Sequence, residues 1–101
     1  MEGEVKVVVF SKLKPECLEA AKPHSIKLFE LSKKEEGNLQ YDWYEDIKEP
    51  GSGVAIEKWK SMEAFQAHFH SNHVKEFGEL AKEWVAGPVV GRVLKPENVW
   101  A

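Results

Sequence analysis

Three histidines stand within six residues, His68, His70 and His73, in the spacing HxHxxH. Imidazole is the side chain whose ordinary pKa lies nearest neutrality, so the group suits proton transfer or metal ligation. On a continuous helix His68 and His70 point to nearly opposite sides, and no Cys or closely spaced Asp completes a ligand set, so no metal is expected. His70 reads as a solvated surface residue. His68 and His73 suit acid/base work if the helix pauses between them, because one then ends a turn and the other begins a helix. The positive end of that helix disfavours imidazolium and leaves His73 free to accept a proton. The same spacing also suits a structural histidine whose ring caps backbone groups at the break.

Glu57 and Trp59 share one face of a strand with Ala55 beside them. If that face looks toward the helices, a carboxylate, an indole and a small residue line a gap that holds a small aromatic ligand. Tyr41 and Trp43 on a neighbouring strand and Phe65 on the following helix are further candidate walls. Each also has a plain reading: Glu57 as the partner of a nearby Lys, and the aromatic residues as core. Cys17 has no neighbouring base in sequence and reads as a small helix residue.

The elements that must position these residues follow from periodicity and punctuation. Residues 4 to 10, EVKVVVF, form a β-branched strand with two largely apolar faces. Pro15 suits a first helical turn, and 16 to 35 favours a helix, with a kink or break expected near Lys22 because Pro23 removes a donor. Gly37 is a C-terminal stop. Residues 38 to 47 alternate Leu39, Tyr41 and Trp43 against Gln40, Asp42 and Tyr44, and the turn KEPGSG at 48 to 53 closes a hairpin onto a strand at 54 to 60. Ser61 caps a helix from Met62 through His68, which pauses at His70, Ser71 and Asn72 and restarts as 73 to 85 until Gly87 and Pro88. A last strand covers 89 to 94.

The order βαββαβ predicts an α+β, ferredoxin-like layer: two helical elements on a four-stranded antiparallel sheet, as a single domain over residues 1 to 101. Two helices cover only one face of such a sheet. Strand one nevertheless carries Val5, Val7 and Val9 on one side and Val8 and Phe10 on the other, which argues for a homodimer packed sheet to sheet.

Composition bounds the partners. The chain has 101 residues, 43% of them hydrophobic and 31% charged, one cysteine and a formal charge of −3. A domain of this size buries only roughly 60 to 65% of its unfolded surface, which again favours a partner subunit. One cysteine excludes an internal disulfide framework. Thirteen lysines and the single Arg92 are outnumbered by 17 acids, so nucleic acid is disfavoured as a partner. No apolar run reaches the ~18 residues of a membrane span, and the first residues lack the order of a signal peptide, so no membrane and a cytoplasmic location are expected.

The stretch from Glu36 to Phe77 resembles the antibiotic biosynthesis monooxygenase family, whose pattern runs G-x-L-x-Y, E-x-W, an apolar helix ending in A-H, and S-x-H. Gly37, Leu39, Tyr41, Glu57, Trp59, His68, Ser71 and His73 supply those landmarks. The resemblance implies a ferredoxin-like fold that dimerises into an α/β barrel with a small-molecule pocket in each subunit. It implies a cofactor-free enzyme oxidising a quinol or polyketide-like phenol with O2, with His68 and His73 as proton acceptors or donors. Tyr41, Trp43, Ala55, Trp59 and Phe65 would line the substrate and Glu57 would orient it. The haem-degrading branch of the family uses an Asn, a Trp and a His where this chain carries a valine near Val8, His68 and Gly78, so haem degradation is disfavoured. The string EEGNLQYD is similar to another branch, an isomerase of a phosphorylated autoinducer-2-type sugar. A non-catalytic dimeric binding module is the third reading.

Overall fold

The computed structural model describes residues 3–95. Strand β1 (Val5–Lys12) leads through a single 3-10 turn at Pro15–Cys17 into helix α1 (Leu18–Lys33). The hairpin β2 (Asn38–Glu45) and β3 (Ser52–Trp59) follows, then helices α2 (Met62–Phe69) and α3 (Asn72–Ala81) and strand β4 (Val90–Leu94). The sheet order is β2-β3-β1-β4 with all neighbours antiparallel, which is the ferredoxin-like α+β arrangement expected. The sequence tail beyond Lys95 lies outside the described residues.

Helix α1 runs unbroken through Pro23, where a kink or break was expected. Pro23 and Glu19, whose carbonyl loses its usual donor, both lie on the exposed side of the helix, so the lost bond falls where solvent can replace it and not in the core. The pause between α2 and α3 is present and capped at both starts. Ser61 Oγ accepts from the Ala64 amide at 3.1 Å and Ser71 Oγ from the Val74 amide at 3.4 Å.

Register puts Val5, Val7, Tyr41, Glu57 and Trp59 on the face that meets the helices, because Glu57 pairs with both Val7 and Tyr41. There Val5, Val7, Tyr41 and Trp59 form the core against Phe29 of α1 and Met62, Ala64 and Phe65 of α2. Leu39 does not join them. The ladder slips between Asn38 and Gln40, so Leu39 is the extra residue of a bulge and keeps 54% of its surface exposed.

Gly37 is needed twice. It has φ of +87°, and a Cβ there would lie 2.7 Å from that of Ala64. This close approach, tied by the Lys60 amide donating to the Gly37 carbonyl at 2.8 Å, seats the end of α1 against the start of α2.

Candidate active site

His68 is the next-to-last residue of α2 and His73 the second residue of α3, so the break turns both rings to one side. Between them lies Glu35, just past the end of α1. Its Oε2 stands 2.5 Å from His68 Nδ1 and 2.9 Å from His73 Nε2. The Ser71 hydroxyl donates to the His68 carbonyl at 2.6 Å and lies 3.3 Å from His73 Nε2, which fixes the corner between the two helices. His70 faces solvent.

Behind this trio the sheet supplies a second acid. Glu57 Oε1 accepts from the Trp59 indole N–H at 3.0 Å and sits 3.6 Å from His68 Nε2. The His68 ring is held between aromatic neighbours, with its centroid 4.6 Å from that of Trp59 and 5.4 Å from that of Tyr41, which meets it edge-on. Phe65 lies further off, at 6.5 Å. An imidazole with one nitrogen toward each of two carboxylates and aromatic rings on its faces is fixed in orientation.

Burial sets the electrostatics. It holds the His68 imidazole below the usual histidine range, against the opposing pull of Glu35. It pushes the Glu57 carboxyl up to about 7, partly offset by the Trp59 hydrogen bond and reinforced by the charge of Glu35. Burial, and after it the Glu57 charge, raise the Tyr41 phenol above its usual range. Near pH 7, therefore, a neutral base stands beside an acid poised between its two forms. Groups tuned in this way are what proton transfer needs.

Tyr41, Glu57 and Trp59 come together as expected, but as packed side chains: Trp59 is fully buried and Glu57 nearly so. The gap foreseen among them is filled. Trp43 and Ala55 pair with each other two residues further along the sheet and are only half-buried, with Gly53 so near the Trp43 ring that a Cβ there would fall 2.6 Å from it. That end is where the layer between sheet and helices loosens. Glu35 was not foreseen at all. The signal available was its position: an acid at the C-terminal end of a helix opposes the helix dipole, so something else must hold it there.

The same trio bears on metal binding. Local spacing offered no acid to complete the histidine set, yet one ligand atom each from Glu35, His68 and His73 lies within 4.8 Å of the others. The missing acid comes from 33 residues upstream of His68.

Residues 4–80 match the family model for antibiotic biosynthesis monooxygenase. The chain belongs to that family. A Bacillus subtilis (strain 168) protein named "Putative monooxygenase YcnE" is 35% identical over 80 residues, covering 79% of this chain and 84% of its own. Among solved structures, a conserved protein from Methanosarcina mazei Go1 superposes with a TM-score of 0.88 at 25% identity, over 94% of both chains. An antibiotic biosynthesis monooxygenase from Nitrosomonas europaea, itself named "putative", superposes with a TM-score of 0.86 at 23% identity over 99% of this chain and 95% of its own, and carries the fold alone. The landmarks Gly37, Tyr41, Glu57, Trp59, His68, Ser71 and His73 thus fall inside the matched span and at the positions that build the site. Among the described residues no helix is long and apolar enough to cross a membrane.

Proposed function

We propose that this member of the family is a small dimeric oxygenase that oxidises a quinol or polyketide-like phenol with O2 and needs no cofactor. The observation that carries the reading is the buried, orientated His68 beside Glu35 and Glu57, with His73 on the same carboxylate. A phenol or an activated C–H of such a substrate becomes an electron donor to oxygen once it loses a proton. The protein's task is then a base, a water-poor setting and orientation.

In this reading His68 or His73 takes the substrate proton, and the Glu35 carboxylate stabilises the imidazolium that forms. Glu57 accepts a hydrogen bond from the substrate or shares the proton with His68. Trp43 and Ala55, half-buried at the looser end of the layer, offer a face and room for an aromatic ring, whereas Tyr41, Trp59 and Phe65 pack around His68 and must move to admit one. For a CH2 group oxidised to a carbonyl, one oxygen atom enters the substrate and the other leaves as water, with all electrons drawn from the substrate. His73, with 19% of its side chain exposed, is reached more directly than His68, which has 4%. Entry to His68 requires the Tyr41 and Trp59 layer to part.

Support for the dimer is the uncovered side of the sheet, where Phe10, Tyr44, Val90 and Leu94 are exposed. The test of the activity is oxygen consumption by pure protein offered a panel of hydroquinones and phenols, with a sugar phosphate as control. Substrate-dependent uptake that survives chelator treatment is expected. No uptake with any member, together with turnover or binding of the sugar phosphate, would replace the oxygenase by an isomerase.

A further inference from the structure

We propose that Glu35, His68 and His73 form a binding site for a borderline divalent transition-metal ion of the zinc class. The inference does not rest on the oxygenase reading: an ion on these nitrogens would occupy the atoms given there the role of proton acceptor, so it describes a metal-bound form in which that role is blocked. Two imidazole nitrogens and one carboxylate oxygen, from the end of α1, the end of α2 and the start of α3, lie within 4.8 Å of one another. Nitrogen donors select zinc, copper, nickel or iron over magnesium and calcium, which take oxygen.

The spacing suits an ion once both sides adjust: the carboxylate must move back, and the two imidazole nitrogens, which lie within 4.8 Å of each other, must draw together around it. Ligands at ~2.0 to 2.1 Å from a tetrahedral zinc stand roughly 3.3 Å apart. Glu35 Oε2 is now 2.5 and 2.9 Å from the two nitrogens, as hydrogen bonding brings it. An entering ion takes the place of those two protons and moves the carboxylate back by less than roughly 1 Å. Glu35 lies beyond the last turn of α1 with its side chain 17% exposed, so it can make that movement.

The surroundings match what ligating histidines require. Coordination through Nδ1 puts the His68 proton on Nε2, and that atom faces Glu57 Oε1 at 3.6 Å. A carboxylate behind a ligating histidine fixes its tautomer and raises its basicity, and Glu57 is itself held by the Trp59 indole. Three protein ligands leave a coordination position open. On its outer side His73 lines a small notch together with His24, Lys27, Glu76 and Phe77, and its side chain keeps 19% of its surface exposed. The alternative is that the three groups only hydrogen-bond to one another.

Chelator-stripped full-length protein, titrated with Co2+ and followed by its visible absorption and with Zn2+ by calorimetry, separates the two. We expect one ion per chain, with affinity lowered at least tenfold by Glu35→Gln and by His73→Ala. The exposed His70→Ala should leave the affinity unchanged. His68 is left intact because its removal empties the space between Tyr41 and Trp59. Circular dichroism of each metal-free variant verifies folding, and Glu35→Gln, which keeps the size and a hydrogen-bonding group, decides alone if His73→Ala does not fold. No binding below about a millimolar, equal affinity in Glu35→Gln and the unaltered protein, or loss of binding on His70→Ala overturns the proposal.

Discussion

On the side of the sheet that meets the helices Trp59 and Val5 are fully buried, whereas on the other side Phe10 and Tyr44 keep about half of their surface in water. Both faces carry large apolar residues, and strand alternation gives neither an advantage. What separates them is cover. The helices remove one face from water, and with it Glu57, His68 and Tyr41, whose proton affinities then depart from their ordinary values. The other face borders an open depression of about 520 Å3 lined by Phe10, Tyr44, Gly53, Val54 and Pro88. One face shifts proton affinities through burial, and the other stays open, as the proposed dimer requires.

The sharpest way to break this contrast is Trp59→Ala. It removes a fully buried indole and leaves Glu57 without its hydrogen-bond donor, so a loss of about 3 to 5 kcal/mol in unfolding free energy is expected from urea titrations. A loss below about 1 kcal/mol would mean that the covered face is not the core.

Next comes pH. Between the ordinary carboxylate pKa of 4.5 and about 7, folded Glu57 keeps a proton that the unfolded chain has lost. The native state therefore binds more protons in that window, and this group's contribution to stability falls as pH rises, by roughly 3 kcal/mol in all. His68 works the other way: its lowered pKa means that stability rises with pH through the range where the unfolded imidazole still holds its proton. Glu57→Gln removes the first effect and leaves the second, so the variant should gain on the unaltered protein steadily from pH 5 to pH 7.5. Parallel stability curves would show that Glu57 ionises normally.

Turnover gives a third test. On a substrate the unaltered protein oxidises, His73→Ala should lower the rate roughly a hundredfold, as expected for the loss of a general base, with folding nearly intact. His70→Ala should change neither. A His73→Ala protein that loses on the order of 1 kcal/mol of stability yet turns over normally would be the mark of a structural cap.

The smallest effect on the chain's own stability belongs to the open face. Phe10→Ser replaces a half-exposed side chain and should alter unfolding of the single chain by no more than about 0.5 kcal/mol. Its influence should fall on assembly: light scattering is expected to show a dimer for the unaltered protein and a monomer of 11.5 kDa for the variant. A monomer in both would leave the open face without its proposed partner.

The elements were legible because their signals are local. Ser61 and Ser71 announce helix starts, Gly37 a helix end, and alternation the strands. Even the useful pause between His68 and His73 is visible in His70, Ser71 and Asn72, since capping depends on residues three apart. Other features needed more than neighbours. An uninterrupted α1 at Pro23 depends on which side of the helix faces water. The outward turn of Leu39 depends on the register with β3, where a one-residue slip moves a side chain to the opposite face.

Local signals thus account for the order of strands and helices, the apolar character of both sheet faces and the placing of two histidines at a helical break. That Glu35 meets those histidines, that Glu57 is buried against Trp59 and that one sheet face is covered follow from how the layers pack. The physical reason is range. Propensity, capping and alternation act between residues a few positions apart, whereas a carboxylate 33 residues from its imidazole is placed by the packing of α1 on β2 and α3 and by the close approach of the segment after α1 to α2 at Gly37 and Ala64. Burial, which shifts the proton affinities, is likewise a property of the assembled layers and of no single residue.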